Sequence, residues 1–168
     1  MPRLRLILAA LALATVALVL GLMLPGRGAS GSGATLPRPN GKPMLVSFLD
    51  TQAQPSASGS PSRSQLVFIK SMDTQGHAAG LRTVIVDTGG ASANQLVNFR
   101  YDWSLSPTIR VLGDPNGSLE HAYRIVQVPT TLLLDGRGVV LHRWSGFAPA
   151  AQLDFAIRRA TGRHVFGS

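Results

Sequence analysis

The chain has 168 residues, 45 % of them apolar, with 16 Lys+Arg against 8 Asp+Glu and a formal charge of +8. That balance fits one compact domain with an appendage and excludes disorder as the main state. There is no cysteine, so disulfides, Cys-ligated zinc, iron–sulfur clusters and every thiol-based catalytic cycle are excluded by atom count.

Arg3 and Arg5 precede Leu6 to Leu24, an uncharged run whose one polar side chain is Thr15. At 1.5 Å per residue such a helix is roughly 28 Å long, close to a bilayer's hydrocarbon core. Residues 1–24 are therefore expected to be a signal anchor with its amino terminus inside and its carboxyl terminus outside. A cleaved signal peptide is the alternative, with small-residue sites at Gly28-Ala29-Ser30 or Ser32-Gly33-Ala34. Both readings export the rest of the chain, as a single-pass membrane protein or as a secreted one. Residues 25–36, rich in Gly and Ser, read as a flexible tether, and 37–168 as the folded domain. Residues 1–34 hold Arg3, Arg5 and Arg27 and no acid, so the exported part is less basic than the whole. Its cations are spread singly, with only Arg158-Arg159 adjacent and no clustering with aromatics, which excludes a nucleic-acid footprint and leaves room for weak attraction to anionic lipid headgroups.

Met44 to Leu49 is a nearly continuous apolar run after Asn40-Gly41-Lys42-Pro43, the pattern of a strand buried on both faces. Ser60 caps and Pro61 opens a helix with Leu66, Ile69 and Met72 inward, widened by Val67 and Phe68 and stopped at Gly76 or earlier. A second strand spans Leu81 to Val86, followed by a helix capped by Ser92, carrying Leu96, Val97 and Phe99 and ending near Tyr101. Ile109 to Leu112 is a short strand, Asp114 to Gly117 a turn, and Leu119 to Tyr123 a brief helix. Two antiparallel strands flank the Asp135–Gly138 hairpin turn, and Pro149 to Ala160 closes the chain as a helix with Leu153, Ala156 and Ile157 inward and Gly162 past its end. This order predicts an α/β fold, a central mixed β-sheet flanked by helices on both faces.

Two stretches carry a family resemblance: Gly41-Lys42-Pro43-Met44-Leu45-Val46-Ser47-Phe48, and Val128-Pro129-Thr130-Thr131-Leu132-Leu133-Leu134-Asp135-Gly136-Arg137-Gly138. Over residues 37–162 the chain resembles the membrane-tethered, extracytoplasmic thioredoxin-like proteins, the branch of cytochrome c maturation thioredoxins and of redoxin or thiol-specific-antioxidant domains. The resemblance implies a thioredoxin-like fold and a cis Val128–Pro129 bond. It also places Ala53, Gln54, Pro55 and Ser56 on the family's Cys-x-x-Cys turn, with Ala53 and Ser56 where the cysteines stand. Alanine has no nucleophile and a serine hydroxyl cannot be oxidised reversibly, so the family's thiol chemistry is not expected of this chain. What the resemblance leaves is a face of Gln52, Val128, Pro129 and Thr130 for an extended protein segment, or else a proline kept for the fold alone.

Other chemistry finds little support. His77, His121, His142 and His164 lack metal-ligand spacing, so no metal and no cofactor is expected. The serines from Ser56 to Ser64 sit in no G-x-S-x-G elbow and read as loop and cap residues, and Asp50 reads as a turn former. The expectation is a non-catalytic module that binds a protein or peptide. The alternative is an accessory component of a thiol-disulfide oxidoreductase or antioxidant system.

Overall fold

The computed structural model describes residues 34–53, 60–78 and 80–162, without the side chains of 74–78. Within it, strands β1 (Met44–Leu49), β2 (Arg82–Asp87), β3 (Arg110–Gly113), β4 (Thr130–Leu134) and β5 (Val140–Ser145) form one sheet in the order β3-β2-β1-β4-β5. β1 and β2 are parallel, as are β2 and β3, while β4 runs antiparallel to β1 and to β5. The helices are α1 (Pro61–Ala78), α2 (Ala93–Asp102), α3 (Ser118–Ala122) and α4 (Ala150–Thr161). The expected mixed sheet between helices is therefore what forms. The expected apolar span at Leu6–Leu24 lies outside the described residues, among which no helix is long and apolar enough to cross a membrane.

β1 is central and buried along its whole length, which is why its sequence lacks polar alternation. Its side chains still divide by parity between the two sheet faces. On one face Leu45 packs with Met72 of α1 and Leu153, Ala156 and Ile157 of α4, and Leu49 shares a cluster with Leu66 and Ile69 of α1 and Phe99 of α2. On the other, Met44, Val46 and Phe48 meet Leu119 of α3. Each such fully buried side chain contributes roughly 1.5–3 kcal/mol relative to exposure. Ser47 is the polar exception in β1, and it is satisfied by a 3.0 Å hydrogen bond between its hydroxyl and that of Thr131.

Local signals account for the helix and hairpin ends. Ser92 and Gln95 form a reciprocal capping box, with the Gln95 N–H donating to Ser92 Oγ at 3.4 Å and the Ser92 N–H to Gln95 Oε1 at 2.8 Å. In the β4–β5 turn, Asp135 Oδ1 accepts the N–H groups of Arg137 and Val139, at 2.8 and 2.9 Å. The Val139 N–H, ahead of the bonds and charge from Arg137, holds the Asp135 carboxyl below its ordinary range.

Four expectations are corrected. α1 does not stop at Gly76 but runs to Ala78, and the chain turns at Gly80, whose φ of +75° no β-carbon opposes. Val67 and Val97 do not widen the core faces of their helices but are 55 % and 62 % exposed, since the inward stripes are set by Leu66, Ile69 and Met72 and by Phe99. Ala34 and Leu36, expected in the tether, pack against the Met44–Phe48 cluster, so the packed domain begins before residue 37. Ser62 and Ser64, read as loop or cap residues, fall within the first turns of α1.

Candidate functional site

The sheet's parallel strands point their carboxyl ends at two connections, the turn after β1 and the segment before β4. The first is built on Asp87, the fully buried last residue of β2. Its Oδ1 accepts the Thr51 N–H at 3.1 Å and the Thr51 hydroxyl at 2.6 Å, and its Oδ2 accepts the Ala91 N–H at 2.8 Å. A buried carboxylate with three donors is satisfied, and it fixes where β1 hands over to the turn. Asp50 accepts the Gln52 N–H at 2.9 Å through Oδ1, the turn-forming role its sequence context suggested. The Ala53 N–H donates to the Asp50 carbonyl at 3.4 Å. Gln52 spans the gap toward α2, donating to the Gly89 carbonyl at 3.2 Å and accepting from Gln95 Nε2 at 3.4 Å. Gln54, Pro55 and Ser56, expected on the family's cysteine turn, lie outside the described residues.

The second connection contains the cis Val128–Pro129 bond that the resemblance implied. Pro129 is buried and its carbonyl accepts the Gly146 N–H at 2.8 Å. Thr130 is buried as well, with its hydroxyl donated to the Gln127 carbonyl at 2.7 Å. These two cannot offer their side chains to a partner, so the expected face of Gln52, Val128, Pro129 and Thr130 narrows. What stands open is the stretch just before the proline, with Val126 89 % and Val128 38 % exposed. Among the described residues nothing hydrogen-bonds to the Val128 N–H or C=O.

A cleft of about 330 Å³ joins the two connections, lined by Asp50, Thr88, Gly89, Glu120 and the Ile125–Val128 segment. Gln52 and Ala53 instead line, together with Asp50, a separate cavity of about 330 Å³ between α1 and α2, which Leu66, Phe99 and Trp103 also border. The structure thus brings Asp50 and Val128 to one cleft and leaves Gln52 and Ala53 outside it. Gly89 shapes the junction, because a β-carbon there would lie 2.6 Å from Asp50 Oδ1.

Sequence reasoning passed over Glu120, the one glutamate of the chain. Partial burial, and then the charges of Asp114 and Asp87, push its carboxyl above the ordinary value of 4.5. The signal was the acid spacing around the α3 start. Asp114 accepts the Leu119 and Glu120 N–H groups, both at 2.9 Å, and the Ser118 hydroxyl at 2.9 Å, and so caps that short helix from the preceding turn. Of the histidines, His142 stacks on Trp144 with ring centroids 5.6 Å apart. Among the described residues no three His, Asp or Glu side chains gather as a metal site.

No family model and no curated protein matches the sequence. Solved structures do match. One is assigned as a thiol:disulfide interchange protein, DsbE, from Chlorobium tepidum, at 25 % identity and a TM-score of 0.61 over 74 % of this chain and 83 % of that one. The domain has the thioredoxin-like fold. StoA from Bacillus subtilis is similar at 21 % identity and 0.56, over 70 % of this chain and 83 % of that one. The exposed lipoprotein thioredoxin of Streptococcus pneumoniae follows at 20 % and 0.53, over 71 % and 86 %. This thioredoxin-like domain departs from the thiol:disulfide chemistry named for such neighbours in one respect that is beyond repair by folding, since the chain has no sulfhydryl to exchange.

Proposed function

We propose that the chain is a non-catalytic thioredoxin-like module, exported and held at the membrane by Leu6–Leu24, that binds an extended protein segment along Val126–Val128. The observation that carries this reading is the exposed stretch before the cis proline, whose Val128 backbone donor and acceptor are unpaired among the described residues and open onto the cleft. An extended segment laid beside such a stretch gains main-chain hydrogen bonds, and alternate side chains enter the neighbouring pocket. The absence of cysteine makes the module a holder rather than a reductant or oxidant. The neighbour from Streptococcus pneumoniae is described as an exposed lipoprotein, which is compatible with an outward-facing domain here.

The test is photo-crosslinking in cells from a probe at Gln127, with the exposed Lys70 on α1 as the control position. A specific adduct from Gln127 alone supports the reading, and a Cys-x-x-Cys pair in the captured protein makes the module an accessory of a redox system. Equal background from both positions sinks it. Alkaline extraction of the same cells tests the anchor, since a single-pass protein stays with the membrane and a secreted one does not.

A further inference from the structure

At the opposite end of the sheet a second cavity, of about 290 Å³, is bordered by three cations, Lys42, Arg82 and Arg110. Their convergence follows from the topology. Lys42 stands just before β1, and Arg82 and Arg110 are the first residues of β2 and β3, so each of three adjacent parallel strands begins beside a positive charge. Arg82 and Arg110 also share a sheet face, because Val84, two residues on from Arg82, is the register partner of Arg110.

Among the described residues none of the three is ion-paired. Arg82 is held by neutral acceptors, its Nη1 donating to the Arg38 carbonyl at 2.5 Å and to Asn40 Oδ1 at 3.0 Å. Its guanidinium is thereby fixed in place without losing its charge to a carboxylate. The side chains of Lys42 and Arg110 are exposed and have no partner among the described residues. The one acid bordering the cavity, Asp73, is buried and takes the Thr108 hydroxyl at 2.9 and 3.2 Å rather than any of the three cations. Concentrating three like charges at one concave site costs free energy that a bound anion would recover.

We propose that this cavity binds a phosphate group. Guanidinium groups offer paired N–H donors that match phosphate oxygens, with a lysine as a point charge beside them. The phosphate could come from an anionic lipid headgroup or from a free phosphate compound, and the two share the same recognition chemistry.

The experiment uses the full chain in uncharged detergent micelles, at about 0.15 M salt so that diffuse attraction is screened. Amide NMR shifts of Gly80, Arg82 and Thr108 are followed on adding inorganic phosphate, glycerophosphoglycerol, or micelles doped with phosphatidylglycerol. Saturable shifts with inorganic phosphate identify a free phosphate ligand, and saturable shifts confined to the other two identify a lipid headgroup. Either supports the site. The double variant Lys42→Gln, Arg110→Gln removes two exposed charges and no core contact, and it should weaken binding at least about tenfold. Lys70→Gln should leave it unchanged. No saturable shift in any arm, or equal binding by the double variant, overturns the proposal.

Discussion

Thr51 and Asp87 are joined twice, the backbone N–H and the hydroxyl of the first both donating to one carboxylate oxygen of the second. Asp87 lies 36 residues further along the chain, so this contact ties the turn after β1 to the end of β2. Asp87→Ala strands three donors, the Ala91 N–H included, and is expected to cost about 3 kcal/mol or more. Asp87→Asn keeps one acceptor and should fall between that variant and the parent. Urea denaturation monitored by tryptophan fluorescence measures both. An alanine variant as stable as the parent would show that the tie does not hold the turn.

Glu120 gives a pH signature. Its carboxyl is pushed above 4.5 by burial first and then by Asp114 and Asp87, so the folded state holds the proton more tightly than the unfolded chain does. Stability from this group is full below the unfolded value and is lost as pH rises through the folded one. Glu120→Gln is therefore expected to raise Tm relative to the parent near neutral pH, with the difference closing as pH falls toward the ordinary glutamate value. Paired thermal melts across that range check it, and a difference independent of pH would contradict it.

Gly136 sits against the backbone of Gly41, whose N–H donates to the Gly136 carbonyl at 3.0 Å. A β-carbon at 136 would lie 2.5 Å from the Gly41 carbonyl carbon and oxygen, and backbone cannot step aside as a side-chain tip can. Gly136→Ala should destabilise the domain by about 1–3 kcal/mol. Hydrogen exchange should show the added opening at Gly41 and in the β4–β5 hairpin, and unchanged exchange there would refute the close-packing argument.

Val126 separates binding from stability. At 89 % exposure it contributes little to folding, so Val126→Asp is expected to shift stability by no more than about 0.5 kcal/mol. If an extended segment lies along Val126–Val128, the same change places a charge against it and adduct yield from a Gln127 probe should fall several-fold. Retained yield at unchanged Tm would place the partner elsewhere.

Much of the frame was legible in the sequence, for identifiable reasons. The unbroken apolar run of Met44–Leu49 marked the central strand, the Asp-Gly turn at Asp135 marked the hairpin, and Ser92 marked a helix start. What was not legible depended on contacts distant in sequence. Nothing local told Val67 from Leu66, since which flank of an apolar helix stripe meets the sheet is decided by the sheet. Thr130 was placed on the open face by its neighbourhood to Pro129 in the family resemblance, whereas its hydroxyl turns back to the Gln127 carbonyl three residues earlier. The site's acids were scattered among Asp50, Asp87 and Glu120, and only the parallel strand ends bring them together.

Each of the three parallel strands runs from a cation to an aspartate: Lys42 to Asp50 for β1, Arg82 to Asp87 for β2, and Arg110 to Asp114 for β3. At about 3.3 Å per residue, strands of four to six residues separate their ends by roughly 13–20 Å. Because parallel pairing stacks the three separations in the same sense, they add and do not cancel, and these six residues together contribute an electric moment along the strands. Near a negatively charged surface, within a Debye length of about 8–10 Å, that contribution acts as a torque. The torque favours the orientation with the basic end against the surface and the cleft of Asp50 and Glu120 turned outward, toward whatever diffuses past.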